Sequence, residues 1–276
     1  MELLKSLNLI PYAPLTHYRM AIFNTEPKIY TGVVLDFETG GLDCVKHACT
    51  QIAMQAVRFD TWEVLNQYVS YFLPYKKQEL GGAPKRKVLK SKYDLEQNDN
   101  SPFMEYENVA LTYSGITMDM LYKMGVDFQK IASEIIDFGK QATLSKGMQA
   151  KPVLIGQNIQ FDIGFLQQIM NYANAIKEFE KTFAGHKDFY NNFQPHFIDT
   201  IDLARLTFAN DPQVTSYKLE LIAERLGIEL DDAHDAAADV TATVNITSAC
   251  SSRLRNNEGG ATSIVKKEKT RLHFKI

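Results

Sequence analysis

Short unbroken apolar runs and longer periodic ones alternate along this chain. Thr31-Gly32-Val33-Val34-Leu35 and Pro152-Val153-Leu154-Ile155-Gly156 are β-branched apolar runs bounded by turn residues, so they read as buried central strands. Phe161, Ile163, Phe165, Leu166, Ile169 and Met170 recur at helical spacing. Extended along the chain, the pattern predicts strands over 30–38, about 49–58 and about 61–73. Helices over about 117–124 and 127–143 follow, then a strand over 152–157 and a helix over 160–180. The last elements are a strand at 196–200 and helices at about 201–208, 216–226 and 233–253. An initial three-strand meander followed by alternating strands and helices predicts an α/β mixed sheet flanked by helices.

Three of these elements carry acids where the apolar pattern ends or starts. Asp36 and Glu38 close the first strand; two residues apart on a strand, they share a face, while Leu35 and Phe37 point to the other side. A second Asp-x-Glu, Asp94 and Glu96, sits among Lys92, Gln97, Asn98 and Asn100 and reads as a solvated loop. Asp162 falls in the first turn of the helix after Asn158. Alone it fits a carboxylate complementing the helix dipole; beside Asp36 and Glu38 it fits a ligand. His234 and Asp239 are five apart near the last helix, about 140° around it if the helix is continuous. They serve one site only if His234 lies at the helix start or just before it. Asp235, four residues before Asp239 on the same face, is the rival ligand. Ala236, Ala237 and Ala238 would let this helix approach the sheet closely, bringing Asp239 toward Asp36.

These motifs resemble the DEDDh branch of the DnaQ-like 3′–5′ exonucleases, a group with the proofreading subunit of bacterial replicative polymerase, ribonuclease T and oligoribonuclease. Asp36 and Glu38 match the first motif, Asp162 the second, and His234 with Asp239 the third, in its His-x-Ala-x-x-Asp form. Segments 110–117, 197–200 and 218–228 resemble supporting parts of that family, and the likeness spans roughly residues 30–250. The resemblance implies a ribonuclease H-like five-stranded fold and two divalent ions, Mg²⁺ or Mn²⁺, about 3.5–4 Å apart. It further implies that Asp36 bridges both ions, that Glu38 and Asp239 hold the one binding the nucleophilic water, and that Asp162 helps hold the other. His234 would accept the proton of that water, and the products would be nucleoside 5′-monophosphates. Thr39, Gly41, Leu42, Asn158 and Phe161 are the substrate-binding candidates. Leu42 fits either a wedge against the terminal base or a loop hydrophobe tucked into the core. Asn158 fits either a substrate contact or a helix cap. His47, His186 and His196 read as surface or satisfied histidines.

Composition narrows the context. The 276 residues are 45% hydrophobic, enough for one large domain, and the net charge of −3 suits an enzyme that gathers acids around metal and holds few nucleotides. Cys44, Cys49 and Cys250 are unpatterned, which predicts free thiols in a reducing compartment, hence a cytoplasmic protein without a zinc site. No apolar run reaches membrane-spanning length, so no membrane association is expected. Residues 1–29 read as an N-terminal extension, 30–253 as the exonuclease domain and 254–276 as a basic tail. Residues 74–109 form an insert, basic in its first part and acidic in its second, that fits a phosphate-gripping flap or a solvated loop. The expected function is 3′–5′ exonuclease action on single-stranded DNA or frayed 3′ ends, in proofreading or repair. The alternatives are an exoribonuclease on short RNA, and a subunit binding a DNA polymerase or other replication or repair protein with secondary nuclease activity.

Overall fold

The structure is a computed structural model that describes residues 28–78, 103–230 and 235–256. His234, the Asp94/Glu96 pair, most of the insert, and nearly all of the basic tail and of the N-terminal extension lie outside these residues.

Five strands form one sheet: β1 (Thr31–Thr39), β2 (Cys49–Arg58), β3 (Val64–Tyr71), β4 (Val153–Gly156) and β7 (Phe197–Asp199), in the order β3-β2-β1-β4-β7. β1 pairs antiparallel with β2, and β2 with β3; β4 joins β1 in parallel and β7 joins β4 in parallel. This is the mixed five-stranded, ribonuclease H-like sheet expected from the sequence. The two parallel pairings bring the C-terminal ends of β1, β4 and β7 to one side, and the functional residues gather there.

Alternation along β1 divides the two layers. Val33, Leu35 and Phe37 pack beneath α3 (Phe128–Gln141), α4 (Gln160–Tyr172) and α5 (Ile176–Thr182). Val34 faces the opposite layer, where Ala236, Val240 and Val244 of α8 (Ala236–Asn256) meet Ala53, Val57 and Ile155. Alanine against alanine lets α8 lie close to the sheet, as the small-residue run predicts. A third cluster joins α6 (Thr200–Thr207) and α7 (Leu219–Leu226) to the end of α8 through Ala204, Ile222, Ala223, Ile246 and Cys250. The three cysteines are free. No described helix is long and apolar enough to cross a membrane.

The expected helix over 160–180 is two helices. Asn174, at φ 55°, breaks it between α4 and α5, while Ala173, Ala175 and Ile176 still pack on the core, so the apolar period continues across the turn and hides the break. The third strand starts at Val64 rather than near 61, because Trp62 takes φ 59° in the turn after β2. Three features were not predicted, the shortest being a single 3-10 turn at Met148–Ala150. Helix α1 (Asn108–Ser114) buries no residue and so leaves no periodic signal. The hairpin of β5 (Gly185–Lys187) and β6 (Phe193–Pro195) has strands of only three residues. The remaining helix, α2 (Met118–Met124), falls as expected, capped by Thr117, whose hydroxyl accepts from the Met120 amide.

The insert is narrower than the sequence suggests. Residues 74–78 and 103–107 are tied to the folded domain: Tyr75 and Met104 are buried, Lys76 bridges Phe103, and the Met104 amide donates to the Tyr75 carbonyl.

Candidate active site

Carboxylate oxygens of Asp36, Glu38 and Asp239 all lie within 4.8 Å of one another. Asp36 and Glu38 come from one face of β1, as their spacing predicts, and Asp239 from the first turn of α8 across that face. Asp235 does not join them. Its carboxylate accepts from the Gln51 side chain on β2, at 3.3 Å.

Asp162 enters from the other layer. The parallel ladder of β1 with β4 ends at Val34–Ile155, and beyond it the Phe37 amide donates to the Asp162 carboxylate at 3.0 Å. The carboxylate thus takes the place of a strand partner and is fixed against β1, where it adds to the repulsion felt by Asp36. Asp162 is a buried acid as well as a helix first-turn acid.

The charges around these groups are other carboxylates. Burial and then Asp162, Glu38, Asp239 and Asp235 push the Asp36 carboxyl well above the usual range. Burial, then Asp239 and Asp235, push Glu38 up to about 7. Burial pushes Asp162 up to about 8 despite the amide from Phe37, and Glu38 and Asp199 add to the rise. Converging acids that resist ionisation, with oxygen donors only, fit a hard divalent cation. Asp36, Glu38 and Asp239 would hold it, with Asp162 beside them.

The loop after β1 is built as a rigid ledge. The Thr39 hydroxyl donates to the Gly41 carbonyl at 2.8 Å. A Cβ on Gly41 would lie 2.6 Å from the His47 ring, and one on Gly40 would lie 2.7 Å from the Glu105 carbonyl, so both positions admit only glycine without a shift. His47 is buried and satisfied: its Nδ1 accepts from the Asp43 amide at 3.0 Å, which leaves Nε2 to donate to Glu107 at 3.0 Å. On this ledge Leu42 is 84% exposed, which removes the tucked-hydrophobe alternative. The cap alternative for Asn158 also fails: the cap position of α4 is Ile159, with no side-chain cap bond. Asn158 is exposed, at φ 54°, and its amide donates to Asp199, the acid that also caps α6. Phe161 is half-buried and packs on Phe165 with ring centroids 5.1 Å apart. His186 and His196 are exposed and adjacent, 5.4 Å between ring centroids.

Residues 113–247 match the RNase_T family model, described as exonuclease. That stretch of the chain is similar to the exonuclease family, and it carries the second and third of the motifs. Solved structures similar to it include exonuclease I, at TM-score 0.56 and 21% identity over 82% of this chain and 42% of that one. They also include E. coli exonuclease I in complex with a dT13 oligonucleotide, at TM-score 0.54 and 21% identity over 82% of this chain and 42% of that one. A third is the moderately thermophilic exonuclease I of Methylocaldum szegediense, at TM-score 0.55 and 21% identity over 82% of this chain and 41% of that one. The chain therefore spans less than half the length of the exonuclease I proteins it matches. The family match covers Asp162 and Asp239 but starts after Asp36 and Glu38; the sheet brings that pair to them.

Sequence reasoning missed the residues that seat the ledge. Gln168, buried on α4, donates to the carbonyls of Cys44 and His47 and accepts from the Tyr75 hydroxyl at 2.6 Å. Tyr75 in turn accepts from the Cys49 amide at 2.8 Å. Only the unusual presence of a glutamine on the apolar face of α4 could have flagged it. Tyr113, exposed on α1, was also missed as a site residue. Its hydroxyl is pushed up by partial burial and then by Glu220, Glu38 and Asp239, which sets it in the field of the acidic cluster.

Proposed function

We propose that this chain is a metal-dependent 3′–5′ exonuclease that removes nucleoside 5′-monophosphates from single-stranded DNA or frayed 3′ ends. The observation that carries this reading is the convergence of Asp36, Glu38 and Asp239 within 4.8 Å, beside the buried Asp162. Single-stranded DNA is favoured because the similar exonuclease I of E. coli has been solved with dT13 and dA16 oligonucleotides.

In this reading Asp36, Glu38 and Asp239 hold divalent metal, Mg²⁺ or Mn²⁺, with Asp162 contributing from the second layer. When bound, such ions stabilise the attacking and leaving oxygens of a phosphodiester. His234, five residues before Asp239 and outside the described residues, takes the proton of the attacking water on an imidazole nitrogen. Asp235, held by Gln51, is not a ligand. Thr39, Gly41 and Leu42 receive the terminal nucleotide, with Leu42 offering an apolar edge to the base. Tyr113, in the field of the acids, and Asn158 and Phe161 complete the substrate contacts.

The test is digestion of 3′-labelled single-stranded DNA, duplex DNA with a mismatched end, and short RNA, with Mg²⁺, Mn²⁺ or Zn²⁺ and with excess EDTA. Zinc is included because an exonuclease I complex with single-stranded DNA has been solved in a zinc-bound form. The expected result is release of 5′-mononucleotides from the single strand with Mg²⁺ or Mn²⁺, none in EDTA, and none by Asp36→Ala. Undiminished hydrolysis in EDTA would overturn the metal reading. Faster digestion of RNA than of DNA would replace DNA as the substrate.

A further inference from the structure

The most exposed large hydrophobic side chain among the described residues is Phe189, at 95%, and Tyr190 beside it is 79% exposed. Both stand at the tip of the β5–β6 hairpin, edge to face, with ring centroids 5.4 Å apart and an interplanar angle of 87°. The tip is tightly held. The Asp188 carboxylate accepts from the backbone amides of Tyr190 and Asn192, at 2.9 and 2.8 Å, and from the Gln194 side chain at 3.2 Å. The Asp188 amide donates to the Asn192 carbonyl, and Asn191 takes φ 64° to complete the turn. Two large apolar rings are thus held in water by a turn with little freedom to fold them back, at a cost that a purely structural hairpin has no reason to bear.

The hairpin is joined to the catalytic half of the molecule. Phe193 packs against Phe179 with centroids 5.4 Å apart, and its carbonyl accepts from Gln167 of α4 at 3.4 Å. Gln167 lies five residues along α4 from Asp162. Following the helix and the hairpin, the aromatic pair is no more than roughly 35 Å from Asp162. The flank carries no unpaired acid: His186 and His196 stand at the base of the hairpin, Lys187 pairs with Glu180 at 3.4 Å, and the one acid of the turn, Asp188, is turned inward onto its amides. Flat apolar rings, near-neutral surroundings and a helix shared with the phosphodiester site together match a strand of bases, which stacks without needing charge, better than an acidic peptide.

We propose that Phe189 and Tyr190 form a distal stacking platform that holds the bases of the single-stranded substrate upstream of the scissile end. This rests on the exonuclease reading for the identity of the strand, and it adds a second point of grip that only longer strands reach.

The test uses Phe189→Ala/Tyr190→Ala and an aromatic-retaining Phe189→Trp/Tyr190→Trp variant in the full chain. Both positions are exposed, so folding, checked by thermal melting, should be unchanged. Affinity is measured in EDTA by fluorescence anisotropy with 5′-fluorescein single-stranded DNA of about 4 and about 16 nucleotides, the range of single-strand site sizes. Losing a base–aromatic stack should weaken binding of the longer strand roughly tenfold. The shorter strand should bind as before, and the tryptophan variant should restore wild-type affinity. With metal, KM for the longer strand should rise by the same factor and kcat should hold. Equal affinity of wild type and the alanine variant for the longer strand overturns the platform, and would leave the pair to a protein partner. An equal loss on both lengths also overturns it. If the wild type hydrolyses neither strand with metal, the exonuclease reading fails instead, while the anisotropy still decides the platform.

Discussion

Asp36, Glu38 and Asp162 hold protons that the unfolded chain would release. Glu38 is pushed up to about 7 and Asp162 to about 8, against ordinary carboxyl values near 4. The folded state therefore binds more protons than the unfolded state between those limits. The stability these groups contribute is fully present below the unfolded value and is lost as pH rises through about 7 to 8. In EDTA, the melting temperature should fall as pH rises from about 5.5 to about 8.5. Asp162→Asn should flatten that slope, because an amide has no proton to lose. A divalent cation needs the deprotonated carboxylates, so its stabilising effect should grow over the same interval. Melting by circular dichroism with and without Mg²⁺ checks both signs; a metal effect that shrinks with rising pH would show that these acids are not the ligands. A second residue-scale prediction separates the two acids at the start of α8. His234→Ala should lower turnover by about 10²–10⁴-fold with little change in substrate affinity. Asp235→Ala should be much milder, since Asp235 is engaged by Gln51. If Asp235→Ala proves the more damaging in single-turnover assays, the ligand assignment to Asp239 is wrong.

At the scale of elements, the ledge between β1 and β2 carries the next prediction. Gly41→Ala would push a methyl to 2.6 Å from the His47 ring, whose two nitrogens are both engaged. Relief requires moving His47 or the loop, and overpacking of this kind costs about 1–3 kcal/mol. The displaced loop should carry Leu42 with it, so KM should rise as stability falls, measured by denaturant unfolding and steady-state kinetics. Unchanged KM in a destabilised variant would separate the ledge from substrate binding. The same ledge shows what the sequence could and could not convey. Asp36, Glu38, Asp162 and Asp239 were legible because each stands at the end of a strand or the start of a helix, where local periodicity sets direction. Gln168 and Tyr75 were not, because each acts through a partner far away in sequence. Helix α1 was invisible because it buries nothing, and the split of α4 from α5 because the apolar period runs through Asn174. The β5–β6 hairpin was too short to register, yet it displays the most exposed aromatics of the described residues.

For the whole molecule, the root of the charged insert lies beside the ledge. Lys76 and Phe103 bridge at its root, and the next residues run beside the ledge: the Glu105 amide donates to the Lys46 carbonyl, and the Ala48 amide to the Glu105 carbonyl. The chain therefore leaves and re-enters the core next to the loop that carries Leu42. Lys85, Arg86, Lys87 and Lys90 belong to the excursion from this root, which lies outside the described residues. If these cations contact backbone phosphates, reversing their charge should raise KM for long strands and leave the chemical step intact, because the acids that hold metal are elsewhere. The effect should shrink as salt rises, since release of counterions drives such contacts. That salt dependence distinguishes the insert from Phe189 and Tyr190, whose stacking contribution should persist at high salt. The measurement is single-turnover and steady-state kinetics on strands of increasing length at two salt concentrations. If the charge-reversed chain matches wild type at every length and both salts, the insert is a solvated loop or a partner-docking segment, and the grip on the strand rests on the ledge and the hairpin alone.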